Sequence, residues 1–142
     1  MKISAKIDYA CRALLELGLH WPNHTPMQVS EIAKRQKIPM NFLVHILITL
    51  KEAGYVDSIR GKSGGYVLIK APQDIRMGEV IKNFGGLGFS TEGGARKLKN
   101  AHIMDAVWLE VDQAVIRTIN DITLETLCNR ERSRGSAIMY EI

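Results

Sequence analysis

The segment Arg60-Gly61-Lys62-Ser63-Gly64-Gly65-Tyr66 is suited by residue type and spacing to meet a polyanion. Glycines let the backbone approach closely and leave amides free to donate to phosphate oxygens, while Arg60 and Lys62 supply charge. The spacing of Gly61, Gly64 and Gly65 matches neither a P-loop nor a dinucleotide fingerprint, and no long helix follows to hold a pyrophosphate. A plain hairpin turn is the simpler alternative. A second group is Asn41, Val44 and His45: the amide and the imidazole can hydrogen-bond base edges, and the valine can touch a thymine methyl. Ordinary surface residues of a helical hairpin are the alternative there. An outward Val44 and Ile48 are unexpected on a purely solvated face, which favours a contact surface.

A third set could ligate a metal. Cys11 lies one helical turn from Asp8, and His102 one turn from Asp105. The simpler readings are that Cys11 is a small core residue on an apolar helix face and that His102 and Asp105 cap a helix start. Cys128 has no clear neighbour that would lower its pKa, because Arg130 and Arg132 sit in a tail expected to be irregular. No nucleophile–base arrangement or metal-hydrolase signature appears, so the chain is not expected to be an enzyme.

The elements that must position these residues follow from periodicity. Ile3, Ile7, Ala10, Cys11, Leu14 and Leu17 mark one helix face, and the two prolines of Trp21 to Pro26 break the chain. Val29, Ile32 and Ala33 predict a short helix ending near Gln36-Lys37. Pro39 suits the first turn of a third helix, which carries Leu43, Ile46, Leu47 and Leu50 inward and stops at Gly54. The period then changes: Val56 to Arg60 and Tyr66 to Lys70 read as a hairpin. A short helix at Met77 to Phe84 and a glycine-rich loop at Gly85 to Lys99 come next. A long helix from about Ala101 to Asn120 carries Val107, Trp108, Val111, Ala114, Val115, Thr118 and Ile119. Ile122 to Leu127 predicts one more helical turn, and Arg130 to Ile142 an irregular or partly extended tail.

Charge is divided unevenly. Residues 1–72 hold 10 Lys/Arg against 5 Asp/Glu, net +5, whereas residues 73–142 hold 9 against 10, net −1. A basic half on a near-neutral half is the outline of a nucleic-acid-binding head on a neutral body. No apolar run is long enough to span a bilayer, the first residues do not read as a signal peptide, and two cysteines make no disulfide framework. A cytoplasmic protein is expected.

Two short helices, a third helix and a hairpin form the order of a winged helix-turn-helix, in which the third helix enters the major groove and the hairpin reaches neighbouring phosphates or the minor groove. Lys2, Ser4 and Gln28 complete the candidate DNA contacts, together with Asn41, Val44, His45, Arg60, Lys62, Ser63, Gly64, Gly65 and Tyr66. The expected fold is mainly α with a small β wing. Residues 1–72 form the DNA-binding domain, and residues 73–142 a linker helix, a sensor-type loop and a dimerisation helix. The apolar surface of the long helix exceeds what so small a head can cover, so a homodimer is expected.

Met1-Lys2-Ile3-Ser4, the run Leu50 to Gly61, and Gly64-Gly65-Tyr66-Val67-Leu68 resemble the IscR/NsrR/CymR-type regulators of the Rrf2 family. Met77-Gly78-Glu79-Val80-Ile81, Ala106-Val107-Trp108 and Ile122 to Leu127 match in the same order, so the resemblance covers nearly the whole chain. It implies a transcriptional regulator, expected to be a repressor binding a palindromic operator, with Arg60 as a minor-groove wing arginine and Asn41, Val44 and His45 at the base-reading positions. Val44 and His45 depart from residues that relatives often carry there. The resemblance also implies a sensor. Many relatives hold an iron–sulfur cluster through three cysteines, and these positions fall near Ser90, Arg96 and His102, with a family histidine position at Asp105. Asp8 matches a residue that supplies a cluster ligand in nitric-oxide-sensing relatives. Arginine cannot ligate iron, and no cysteine stands between Cys11 and Cys128, so an iron–sulfur cluster is not expected. A metal or redox sensor using Asp8, Cys11, His102 or Asp105, control by a partner enzyme as in the cysteine-metabolism branch, and a small-molecule effector remain as alternatives.

Overall fold

The computed structural model describes residues 3–87 and 102–140. Helix α1, Ala5–Leu19, is capped by Ser4, whose hydroxyl accepts from the Ile7 amide at 3.2 Å. Its face of Ile7, Ala10, Leu14 and Leu17 is buried, as the spacing predicts, while Ile3 precedes the cap and is exposed. Helix α2, Val29–Gln36, ends at Lys37, which takes a left-handed conformation (φ 54°), and the Ile38 amide closes back on the Ala33 carbonyl. Helix α3, Met40–Glu52, buries Leu43, Ile46, Leu47 and Leu50. Pro39 stands one position before it and accepts from the Phe42 and Leu43 amides. Gly54, at φ 86°, ends α3: its amide bonds the Lys51 carbonyl and the next amide, Tyr55, bonds the Leu50 carbonyl. That left-handed stop is the reason a glycine stands there.

The wing is antiparallel. Strand β1, Val56–Ile59, pairs with β2, Gly65–Leu68, in the register Val56 to Leu68 and Ile59 to Gly65. A contribution not foreseen from the sequence comes from Met27, which exchanges two 2.9 Å backbone bonds with Tyr66 and so adds a single-residue third strand to the hairpin. After a 3₁₀ turn at Pro72–Asp74, helix α4 spans Met77–Lys82 and helix α5 Ile103–Asn120. The chain then returns to the head. Residues 75–77 and 122–124 pair across an isolated bridge, with the Leu124 amide on the Ile75 carbonyl at 2.8 Å and the Met77 amide on the Ile122 carbonyl at 2.9 Å.

Helix α6 runs over Leu124–Tyr140, which corrects two expectations: the single turn at Ile122 to Leu127 and the irregular tail from Arg130. The physical reason lies at its start. The Thr123 hydroxyl caps the Thr126 amide at 3.2 Å. Leu124 and Cys128, one turn apart, then sink into the core beside Gly18 of α1. With that first turn anchored, a polar, arginine-rich continuation propagates cheaply, helped by the Glu131–Arg134 pair. One cluster of buried residues thus includes α1, α2 and α3 together with Ile75, Met77, Val80, Ile81, Leu124 and Cys128, and the position 72/73 does not divide it.

Candidate nucleic-acid interface

On α3 the buried row leaves Asn41, Val44, His45 and Ile48 exposed, the two apolar ones at 42% and 43%. This is the arrangement expected from spacing. Phe42 is exposed as well, but its ring lies 6.2 Å from that of Tyr9 and braces α3 on α1. The wing is held beside α3 by Lys51, a contact missed in the sequence. Its ammonium bonds the Ser58 hydroxyl at 2.6 Å and sits 3.6 Å from the Asp57 carboxylate. A lysine at the end of the helix and two polar residues on the following strand were the available signal. On the other side, the Gln28 amide donates to the Lys62 carbonyl at 3.4 Å, so Gln28 also steadies the wing tip.

Arg60, Lys62 and Ser63 are exposed at that tip, and their charges and hydroxyl are free to meet a backbone. Gly64, Gly65 and Tyr66 also have a packing task within the wing. Gly64 is buried, and a Cβ there would collide with the Ile59 carbonyl; one on Gly65 would collide with the Met27 carbonyl. Gly64 lets the wing turn close on the end of β1, Gly65 lets Met27 pair with the hairpin, and the Tyr66 ring packs on the core while its backbone binds Met27. Ser4 is engaged as the α1 cap. Lys2 lies outside the described residues.

The candidate ligands do not assemble. Asp8 pairs with Arg12 at 2.9 Å. Cys11, expected in the core, is only half-buried at its edge. It lines a groove of about 420 Å³ between α1, α4 and α5, with Ile7, Ile81, Val115 and Ile119 as further walls. Burial, and then the Asp8 charge, push its thiol up to about 11. His102 and Asp105 form a reciprocal cap on α5: the imidazole Nδ1 accepts from the Met104 amide at 3.1 Å, and the Asp105 carboxylate accepts from the His102 amide at 3.0 Å. Cys128 is buried, which raises its pKa, and Arg132 opposes the shift from a helix rather than from an irregular tail. Among the described residues no three His, Cys, Asp or Glu side chains come together as a metal site. Ser90 and Arg96, and most of the loop Gly85 to Lys99, lie outside the described residues.

Helix α5 shows no buried residue, and Ile103, Met104, Val107, Trp108 and Val111 are exposed along one face. No helix among the described residues is long and apolar enough to cross a membrane.

Comparison with known proteins agrees with this geometry. The sequence model of the Rrf2 family, described as an iron-dependent transcriptional regulator, matches residues 3–130. A Synechocystis protein described as an HTH-type transcriptional regulator is 36% identical over 139 residues, covering 96% of this chain and 94% of its own length. The HTH-type transcriptional regulator IscR of Erwinia tasmaniensis is 31% identical, covering 92% of this chain and 81% of its own. Among solved structures, CymR of B. subtilis, titled the global cysteine regulator, superposes with a TM-score of 0.79 at 29% identity, over 92% of this chain and 98% of its own. IscR of T. potens gives 0.78 at 27% identity, over 92% and 88%. The family description names iron, and the donor set here does not fit a three-thiolate cluster. The chain has two cysteines, one of which is in the core at 1% exposure.

Proposed function

Because the chain belongs to the Rrf2 family of transcriptional regulators, we propose that this DNA-binding regulator is a homodimeric, cytoplasmic repressor that works without an iron–sulfur cluster. The observation that carries the DNA-binding geometry is the exposed pair of surfaces on the basic half. Asn41, Val44 and His45 project from α3, and Arg60 and Lys62 from a wing tied to that helix through Lys51 and to α2 through Gln28. The bare apolar face of α5 supports pairing with a second copy. Two heads would then address half-sites about one DNA turn apart, roughly 34 Å, and occupancy of a promoter would block transcription.

The test has two arms. Genome-wide mapping of bound DNA, followed by transcription from a recovered promoter in vitro, should show a palindromic site and reduced transcript; raised transcript would overturn the repressor assignment. Iron, acid-labile sulfide and the visible spectrum of anaerobically purified protein should show no cluster. Stoichiometric iron and sulfide, lost on Asp8→Ala or His102→Ala, would overturn that part. The groove beside Cys11 favours a second reading, in which an apolar effector or a partner enzyme sets the head orientation; copurification of such an enzyme would support it.

A further inference from the structure

The chemistry of α3 bears on which base pairs it can read. A helix turning 3.6 residues per turn sets Asn41, Val44, His45 and Ile48 opposite the buried row of Leu43, Ile46, Leu47 and Leu50. Val44 and Ile48 are one turn apart and well exposed, so their methyl groups make an apolar strip. Asn41 and His45, also one turn apart, run beside it. β-Branched residues lower helix propensity slightly and gain nothing for folding when left in water. Their presence on this face is explained by a surface that they cover in a complex.

What is missing from the helix narrows the choice. Residues 40–48, Met-Asn-Phe-Leu-Val-His-Ile-Leu-Ile, contain no Arg or Lys to bridge guanine O6 and N7 and no Asp or Glu to accept from cytosine N4. An asparagine suits the N6/N7 edge of adenine, and apolar side chains suit the thymine methyl. We propose that α3 selects A·T pairs where Asn41, Val44 and Ile48 meet the groove, with Asn41 on an adenine edge and Val44 and Ile48 packed on thymine 5-methyl groups, while His45, whose imidazole can donate to either purine N7, adds a contact without this bias. This rests on the DNA-binding reading and adds to it the determinant of sequence choice. Charge contacts from Arg60 and Lys62 hold the duplex in register but leave that choice to the helix.

The experiment uses the full chain. Duplexes are first selected by binding from a random pool, and each thymidine of the selected half-site is then replaced by deoxyuridine, which removes only the 5-methyl group. A·T pairs should dominate the helix-facing positions, and each contacted methyl should be worth about fourfold in affinity. In Val44→Ala or Ile48→Ala protein, whose changes are on the surface, one thymidine position should become indifferent to deoxyuridine while the melting temperature holds. Selected duplexes that bind equally well with deoxyuridine at every position would overturn the proposal and leave DNA binding standing; the same result is expected if this face docks a protein. A pool that yields no bound duplex would overturn the DNA-binding reading and the proposal together.

Discussion

Arg60 follows the last residue of β1 and carries an exposed guanidinium at the wing tip, where it stabilises nothing in the folded chain that the described residues reveal. Arg60→Ala should therefore leave thermal melting unchanged and weaken operator binding by about 1–3 kcal/mol. A gel-shift titration at fixed salt that finds unchanged affinity would remove the wing arginine from the interface. Cys11 makes a different prediction. Its thiol is held up to about 11 by burial and by Asp8, so it is almost wholly protonated at neutral pH. Alkylation of Cys11 should be slow at pH 7–8 and should still be climbing with pH above 9. The sign for stability follows: the folded state binds this proton more tightly than the unfolded chain, so stability falls as pH rises from 9 towards 11. A Cys11 that alkylates at neutral pH as fast as a free thiol would contradict the burial.

At the scale of elements, the contact of α1 with α6 is set by one missing side chain. A Cβ on Gly18 would come within 2.8 Å of the Cys128 sulfur and 3.1 Å of Leu124, both fully buried and unable to swing away. Gly18→Ala should cost about 1–3 kcal/mol through overpacking, read as a lowered melting temperature. Combined with Cys128→Ala, which clears the colliding sulfur, the two losses should be less than additive. Strict additivity in denaturant titrations would show that α6 does not pack there. The same contact explains why α6 continues past Arg130: its helical conformation is set by two buried residues, one turn apart at its start, rather than by any pattern in the tail.

For the whole molecule, the decisive feature is that one core serves both halves, while α5 touches it only at its C-terminal end, through Ile119. Ile75, Met77, Leu124 and Cys128 pack with α1 to α3, whereas Val107, Trp108 and Val111 of α5 remain in solvent. Large apolar side chains left in a row on one helix are the surface on which the proposed pairing would rest. The protein should scatter light as a dimer at micromolar concentration. In the proposed interface Val111→Glu would bury an unpaired charge, and it should return the mass to that of one chain without lowering helix content. A monomeric wild type would remove the basis for reading two half-sites.

Local rules made much of this molecule legible from sequence alone. The face of α1 from Ile7 to Leu17, the inward row of α3, the stop at Gly54 and the hairpin on either side of Arg60 each depend on periodicity or on one residue's conformational freedom, and these act over a few residues. For the same reason Asn41, Val44 and His45 could be assigned to an outward face, and His102 and Asp105 to a cap. Long-range packing decided the rest. Met27 can join the hairpin because Gly65 lacks a side chain, and Gly64 lets the turn close on β1, so both glycines have a packing task that the sequence did not announce. The fates of the two cysteines were not legible from their neighbours along the chain. Cys11 sits on an apolar stripe yet opens onto a groove, and Cys128, in a polar stretch, is in the core, because burial depends on which helix lies across the chain and not on the neighbours along it.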